Sequence, residues 1–372
     1  MKKEKKFFSL VVVVIVIIIL HNFCQKSSDT SKKGMGELRV LAWVGYEEEE
    51  IVKPFEKEFG IKVFTETFTG ADKMFVKITK ARDAYDVVVI DPEYIEKLYR
   101  ANLLTPLDPK QFNFDNYIEP LKKFPLCWIE GKMYTVLIRY GVNAIVYNTE
   151  KLTAEEVSSY EILWSPKVKG KVGIWDWYLP NMGVLSLAAG FTPPYTLNDS
   201  QFGELKKRLD LLRPQVKAIM GSFSDVNAAL ARGDIWVVPA LGEHTAAVLS
   251  EQGYPIDWVV PKEGAIMWIE TLGIPPKAAN RTGAIKYIQY FQRPEVQAKM
   301  TWRRAYRSNI PNVKAIEILS PKQQDALKVH NGNEATALVR SINVRRLPID
   351  PQGNLMESKW QMEWQNFKAR NY

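Results

Sequence analysis

The chain has 372 residues, 46% of them hydrophobic and 25% charged, which is ordinary for globular protein and enough for two domain-sized cores. The formal charge of +8 falls to +5 once residues 1–23, with four Lys and one Glu, are set aside. The other basic residues are dispersed apart from Arg303–Arg304 and Arg345–Arg346, which read as solvated surface, and no basic stripe with interleaved aromatics points to nucleic acid.

Lys2, Lys3, Lys5 and Lys6 precede a greasy run from Phe7 to Leu20, broken only by Ser9. A basic start followed by an apolar run too short to span a bilayer reads as an export signal over residues 1–23. Cys24 follows, then a polar Ser/Lys/Gly stretch. That layout is the one a bacterial lipoprotein uses, with Cys24 acylated and residues 24–36 serving as a linker. His21, Asn22 and Phe23 stand where such signals place small residues, and an uncleaved anchor is the alternative. With Cys24 acylated, Cys127 has no partner for a disulfide. In its apolar context, FPLCWI, it reads as a small buried hydrophobe.

Beyond the linker, apolar runs alternate with helix-period segments. Leu38–Trp43, Ile61–Thr67 and Tyr85–Ile90 read as strands; Glu47–Phe59 and Ala71–Arg82 read as the helices between them. Asp91 and Pro92 carry the signature of a helix start, Asp as N-cap and Pro at the first helical position. The pattern returns with strands at Lys171–Trp175, Ile235–Pro239 and Ala265–Glu270. The corresponding helices fall at Gln201–Arg213, Asp225–Arg232 and Thr282–Gln292, with another opened by Pro294. Lys132–Asn148 reads as extended chain crossing from one lobe to the other. The expected class is α/β: two lobes, each built on a doubly wound, mostly parallel sheet.

In open α/β sheets ligands bind beyond the carboxyl ends of the strands. That rule selects Trp43 and Tyr46 after the first strand, and Asp91 and Glu93 after the third. It also selects Trp177 after the Lys171 strand and Glu243 after the Ile235 strand. Trp268 and Glu270 lie at i and i+2 on one face of a late strand. Indoles and carboxylates together suit an organic cation, through ring faces and charge-assisted hydrogen bonds. Each residue also has a plainer structural use: Asp91 as a helix cap, Glu93 in the helix dipole, Trp43 and Trp268 as core aromatics, Glu243 and Glu270 as solvated turn residues.

Several segments, in collinear order, resemble the polyamine-binding (spermidine/putrescine) substrate-binding proteins of ABC importers. They are Trp43-Val-Gly-Tyr46, Pro54-Phe-Glu-Lys-Glu-Phe-Gly-Ile-Lys-Val63, Tyr85-Asp-Val-Val-Val-Ile-Asp91, Tyr254-Pro-Ile-Asp257, Pro261-Lys-Glu-Gly264, Met267-Trp-Ile-Glu270, Arg293-Pro-Glu-Val-Gln-Ala298 and Ser308-Asn-Ile-Pro-Asn312. The resemblance implies a type II periplasmic-binding-protein fold with the ligand cleft between lobes. It also implies that Trp43 and Tyr46 line an amine site, that Trp268 packs on ligand methylenes and that Glu270 and Glu243 pair with amino groups. Asp91 falls where relatives have a Ser, and Glu93 where spermidine-type relatives have a Tyr. Pro180, Trp177 and Ala240 stand where relatives carry an acidic residue, an Asp and a Trp. This implies a retained cation site with its charges rearranged.

The division expected is 37–140 plus about 270–312 for one lobe and 141–269 plus about 313–372 for the other. Hinge segments are expected near Arg139–Val142 and Glu270–Gly273. The resemblance implies an exported, monomeric, lipid-anchored capture protein, in the periplasm or at the cell surface, that feeds an ABC permease. It implies no catalysis, cofactor or metal. A different ligand (another amine, a thiamine-like compound or a metal) and a sensing or adhesive role are the alternatives. A hydrolase finds no support: outside the signal only His244 and His330 are present, with no G-x-S-x-G or H-E-x-x-H.

Overall fold

The computed structural model describes residues 36–369. The expected signal over 1–23, Cys24 and the linker up to residue 35 lie outside the described residues. Within the described residues no helix is long and apolar enough to cross a membrane.

Strands β1 (Glu37–Trp43), β2 (Lys62–Phe68) and β3 (Val87–Ile90) lie parallel in the order β2-β1-β3, with α1 (Glu49–Phe59) and α2 (Ala71–Lys80) between them in the chain. β3 is buried at all four positions, the signature of a strand covered on both faces. Gly60 ends α1 in the left-handed region, φ 65, and its N–H donates to the Glu56 carbonyl. The long strand β4 (Thr135–Asn148) follows, buried along its whole length. Then come β5 (Val172–Trp175), α3 (Tyr178–Ala188), α4 (Asp199–Leu212), β6 (Val216–Met220), α5 (Phe223–Ala231), β7 (Val237–Leu241), α6 (Glu243–Glu251), β8 (Ile256–Val259) and β9 (Ile266–Gly273). The chain closes with α7 (Arg281–Phe291), α8 (Pro294–Thr301), β10 (Asn343–Val344) and α9 (Glu357–Ala369), among further helices.

The strands join in one mixed sheet of order β2-β1-β3-β9-β4-β7-β5-β6, with β8 on β4 and β10 on β9. Each end is a parallel array, as expected from the β–α alternation. The centre is antiparallel, because β9 runs against both β3 and β4, and β4 against β7 and β8. Two strands that pass through the middle of the sheet therefore tie the two ends together.

Element boundaries moved where capping chemistry decided them. The helix expected from Gln201 begins at Asp199, because Asn198 and Gln201 form a reciprocal capping box. The helix expected from Pro92 opens as a single 3₁₀ turn, Pro92–Tyr94, before Ile95–Arg100. The Asp91 side chain makes no cap bond there. Cys127 is buried, and burial pushes its thiol up to about 12, in keeping with an apolar role.

Two irregularities interrupt the central strands. The β4–β9 register slips between Glu270 and Thr271, so that Glu270 faces Arg139 while Thr271 faces Leu137. The β4–β7 register slips between Ala144 and Ile145, opposite Pro239 and Leu241. The skipped residue Ala240 takes φ 58, and Asn143 Nδ2 donates to its carbonyl at 2.9 Å. Bulges of this kind re-aim the side chains beside them.

Candidate ligand-binding site

The middle of β4 is where the carboxylates gather. Glu270 accepts from Arg139 Nε at 2.6 Å and Nη2 at 2.8 Å, and from the Tyr46 hydroxyl at 2.8 Å. Arg139 and Glu270 are direct cross-strand partners, so the bulge fixes this ion pair. The guanidinium is boxed by rings: Tyr46, Trp268 and Tyr306 lie 5.5, 5.6 and 5.3 Å from it. A carboxylate beside aromatic rings has the chemistry that suits an organic cation, and here the chain's own arginine stands in that position.

Three residues along β4, the Val142 N–H donates to both oxygens of Glu243, at 3.2 and 3.0 Å. Glu243 opens α6 after Gly242, whose bare Cα lets the turn press against β4; a Cβ there would stand 2.0 Å from the Val142 carbonyl oxygen. Glu243 is fully buried, and burial pushes its carboxyl up to about 8 against the pull of the backbone donors and of Arg139. Gly141 is the floor between the two carboxylates. A Cβ at Gly141 would lie 2.0 Å from Glu243 Oε1 and 2.3 Å from the Trp268 ring.

A third group lies where β3 and β10 end. Arg345 Nη2 donates to Asp91 Oδ2 at 2.8 Å and Nε to Glu93 Oε1 at 2.5 Å, although Asp91 and Arg345 are 254 residues apart in the chain. Trp43 Nε1 donates to the other Asp91 oxygen at 2.9 Å, and Trp177 lies under the Arg345 guanidinium at 4.4 Å. Burial pushes Asp91 up to about 8; Arg345 opposes this, and Glu93 adds to it. Two carboxylates therefore share one guanidinium.

All eight residues selected from the sequence thus fall into three adjoining clusters. The plainer uses for Asp91 and Glu93, as cap and dipole partner, fail because both side chains turn to Arg345. Trp268 and Glu270 do project from the same face, both meeting Arg139. The cations are what strand position and spacing did not reveal. Arg303 and Arg345, expected in solvent, are 1% and 3% exposed, and Arg139 was expected only at a hinge. Also unforeseen is an aromatic run in which successive rings touch, Trp177, Trp175, Phe223, His244, Tyr306 and Trp268. His244 stacks on Tyr306 at 4.0 Å, and burial together with Arg307 and Arg139 lowers it to about 3, so it serves as a neutral ring. Among the described residues no cluster of three or more His, Cys, Asp or Glu side chains is arranged to hold a metal ion.

A sheet whose two parallel ends share antiparallel crossing strands, with buried charges and rings at the crossing, is the architecture of a two-lobe solute-binding protein. Residues 50–329 match the family model of the bacterial extracellular solute-binding proteins, and the chain belongs to that family. The spermidine/putrescine-binding periplasmic protein of Escherichia coli (strain K12) is 30% identical over 298 residues, spanning 77% of this chain and 80% of the relative. A putrescine-binding periplasmic protein of the same organism is 24% identical over 336 residues, 84% of this chain and 88% of the relative. Among solved structures, one from Listeria monocytogenes described as a spermidine/putrescine ABC transporter aligns with TM-score 0.74 and 25% identity, covering 90% of this chain and 99% of that one. The spermidine/putrescine substrate-binding protein of Streptococcus pneumoniae, 21% identical over 91% of this chain and all of that one, aligns with TM-score 0.74 and shares the fold. The fold is the type II periplasmic-binding-protein fold, and the chain is a solute-binding protein, not an enzyme.

Proposed function

We propose that this chain captures a small organic amine, a polyamine or a related cation, between its lobes and delivers it to an ABC permease. The observation that carries the reading is the gathering of Asp91, Glu93, Glu243 and Glu270 with Trp43, Tyr46, Trp177 and Trp268 in adjoining clusters along β4 and at the end of β3. The names of the relatives support the amine and the transport role. In this reading the lobes are 37–140 plus about 270–312 and 141–269 plus about 313–372, and they close about the crossing strands. Closure is favoured by ligand because only the closed form contacts it from both sides. Acylated Cys24 anchors the monomer outside the cytoplasmic membrane after residues 1–23 are removed.

A thermal-shift screen of the exported chain with putrescine, spermidine, spermine, thiamine and a series of ω-amino acids tests the reading. At 100 times Kd a ligand adds about 2.7 kcal/mol of stability. Stabilisation by at least one amine, lost in Glu243→Gln, is the expected result. The absence of a shift with every amine overturns it.

A further inference from the structure

The buried charges at the crossing are incompletely matched, and the mismatch has two ends. Arg345 is used by Asp91 and Glu93, and Arg139 by Glu270 through Nε and Nη2. At one end, among the described residues, Glu243 has only the Val142 backbone N–H as an outside donor, with no guanidinium or ammonium on it. At the other end Arg139 Nη1 and both terminal nitrogens of Arg303 are buried without an acceptor among the described residues, and Arg303 Nε reaches only the Met300 carbonyl at 3.3 Å. Arg139 and Arg303 lie over the same Tyr46 ring, at 5.5 and 5.0 Å, so two like charges are held together away from water. Charged N–H groups left without acceptors in a dry interior are costly, and an anion placed between them removes that cost.

Arg139 brings the cationic end close to Glu243. Arg139 lies over the Trp268 ring, and that same ring and Glu243 both abut Gly141. A linear polyamine placed with one ammonium at Glu243 would direct its next ammonium toward Arg139 and Arg303, a repulsive arrangement. A molecule with an anionic far end meets donors instead.

We infer that the ligand of this cleft carries one amine and one carboxylate, the ammonium received by Glu243 and the carboxylate by Arg303 and the free Nη1 of Arg139. The ligand class is an amino acid with separated charges, an ω-amino acid of a few carbons. This rests on the amine-capture reading above and narrows it. Arg303 is then a specificity residue: it selects the anionic end and repels a second ammonium.

Isothermal titration of the exported chain with α,ω-diamines and ω-amino acids of three to six carbons, and with the matching plain carboxylates, decides it. The expected result is an ω-amino acid binding at least tenfold tighter than the diamine of equal length. That preference should fall at least tenfold in Arg303→Met and partly return in Arg303→Lys, with circular dichroism checking the fold of both. Diamines binding as tightly as amino acids overturn the inference and leave amine capture standing. A plain carboxylate binding as well as its amino acid overturns amine capture. Unchanged preference in a folded Arg303→Met removes Arg303 from the role, and no binding by any probe overturns both readings. Should Arg303→Met fail to fold, the wild-type ranking of amino acid against diamine decides the matter alone.

Discussion

Glu270 on β9 and Glu243 at the start of α6 meet β4 three residues apart, at Arg139 and Val142; both are buried, yet they are held differently. Glu270 has a full cation: a guanidinium grips it through two nitrogens and a phenol completes the shell. Glu243 has dipoles only, the backbone N–H of Val142 among them. Equal burial therefore gives unequal chemistry. The Glu270 charge is neutralised by the fold, whereas the Glu243 charge must be removed by a proton or balanced by something that arrives. Asp91 and Glu93 are intermediate, two carboxylates on one guanidinium.

The contrast breaks most visibly at Arg139. Arg139→Met strands Glu270 in the interior, and urea unfolding should show a loss of about 3–5 kcal/mol. Arg139→Met with Glu270→Met should recover most of it, since replacing both members of a buried pair is close to neutral. A double variant as unstable as the single would show that the pair is not what the arginine supports.

At the other carboxylate the effect should appear in binding. Glu243→Gln removes a charge-assisted bond worth about 1.5–3 kcal/mol, so amine affinity in titration should fall roughly ten- to hundredfold while the fold survives. The same residue sets the pH response. In the free protein its carboxyl is pushed up to about 8, and a bound ammonium lowers it, so binding releases a proton. Affinity should therefore rise with pH, by at most about tenfold per unit, and level off above about pH 8. Glu243→Gln should flatten that slope, and a slope unchanged in the variant would assign it elsewhere.

The ligand-free protein sharpens the point with the opposite trend. Because the folded value lies above the ordinary 4.5, the unfolded chain ionises first as pH rises. The stability contribution of Glu243 is complete below about pH 4.5 and is lost as pH climbs toward 8, with Asp91 acting in the same direction. Thermal melts of wild type and Glu243→Gln across this range should converge at low pH and separate at high pH. A smaller change is Gly141→Ala: its methyl meets Glu243 and the Trp268 ring, costing about 1–3 kcal/mol, read as lowered stability and amine affinity together.

Much of this was legible along the chain. The β–α alternation, the apolar runs of β3 and β4 and the helix starting at Pro294 report which faces are buried, and burial pattern is a local property of each element. The rule that ligands bind at strand ends found the aromatic and acidic side chains, and the i, i+2 spacing put Trp268 and Glu270 on one face. The collinear motifs supplied the family. Capping chemistry was partly legible: Asn198 could be found by its Gln three residues later, whereas Asp91 had every local mark of a cap and was drawn away by Arg345.

What the sequence determined by itself is therefore the two-lobe α/β class and the aromatic and acidic side chains that gather beside β4 and the end of β3. Only the tertiary structure decided which charges meet. Arg345 finds Asp91 across 254 residues, and Arg139 finds Glu270 because a single bulge shifts the register by one place. An Arg in a basic pair looks solvated in sequence, because exposure is the default for a lone charge; a partner brought from a distant strand reverses it. Long-range register has no periodicity to read, and it is register that gives Glu270 a guanidinium and leaves Glu243 with the Val142 backbone N–H.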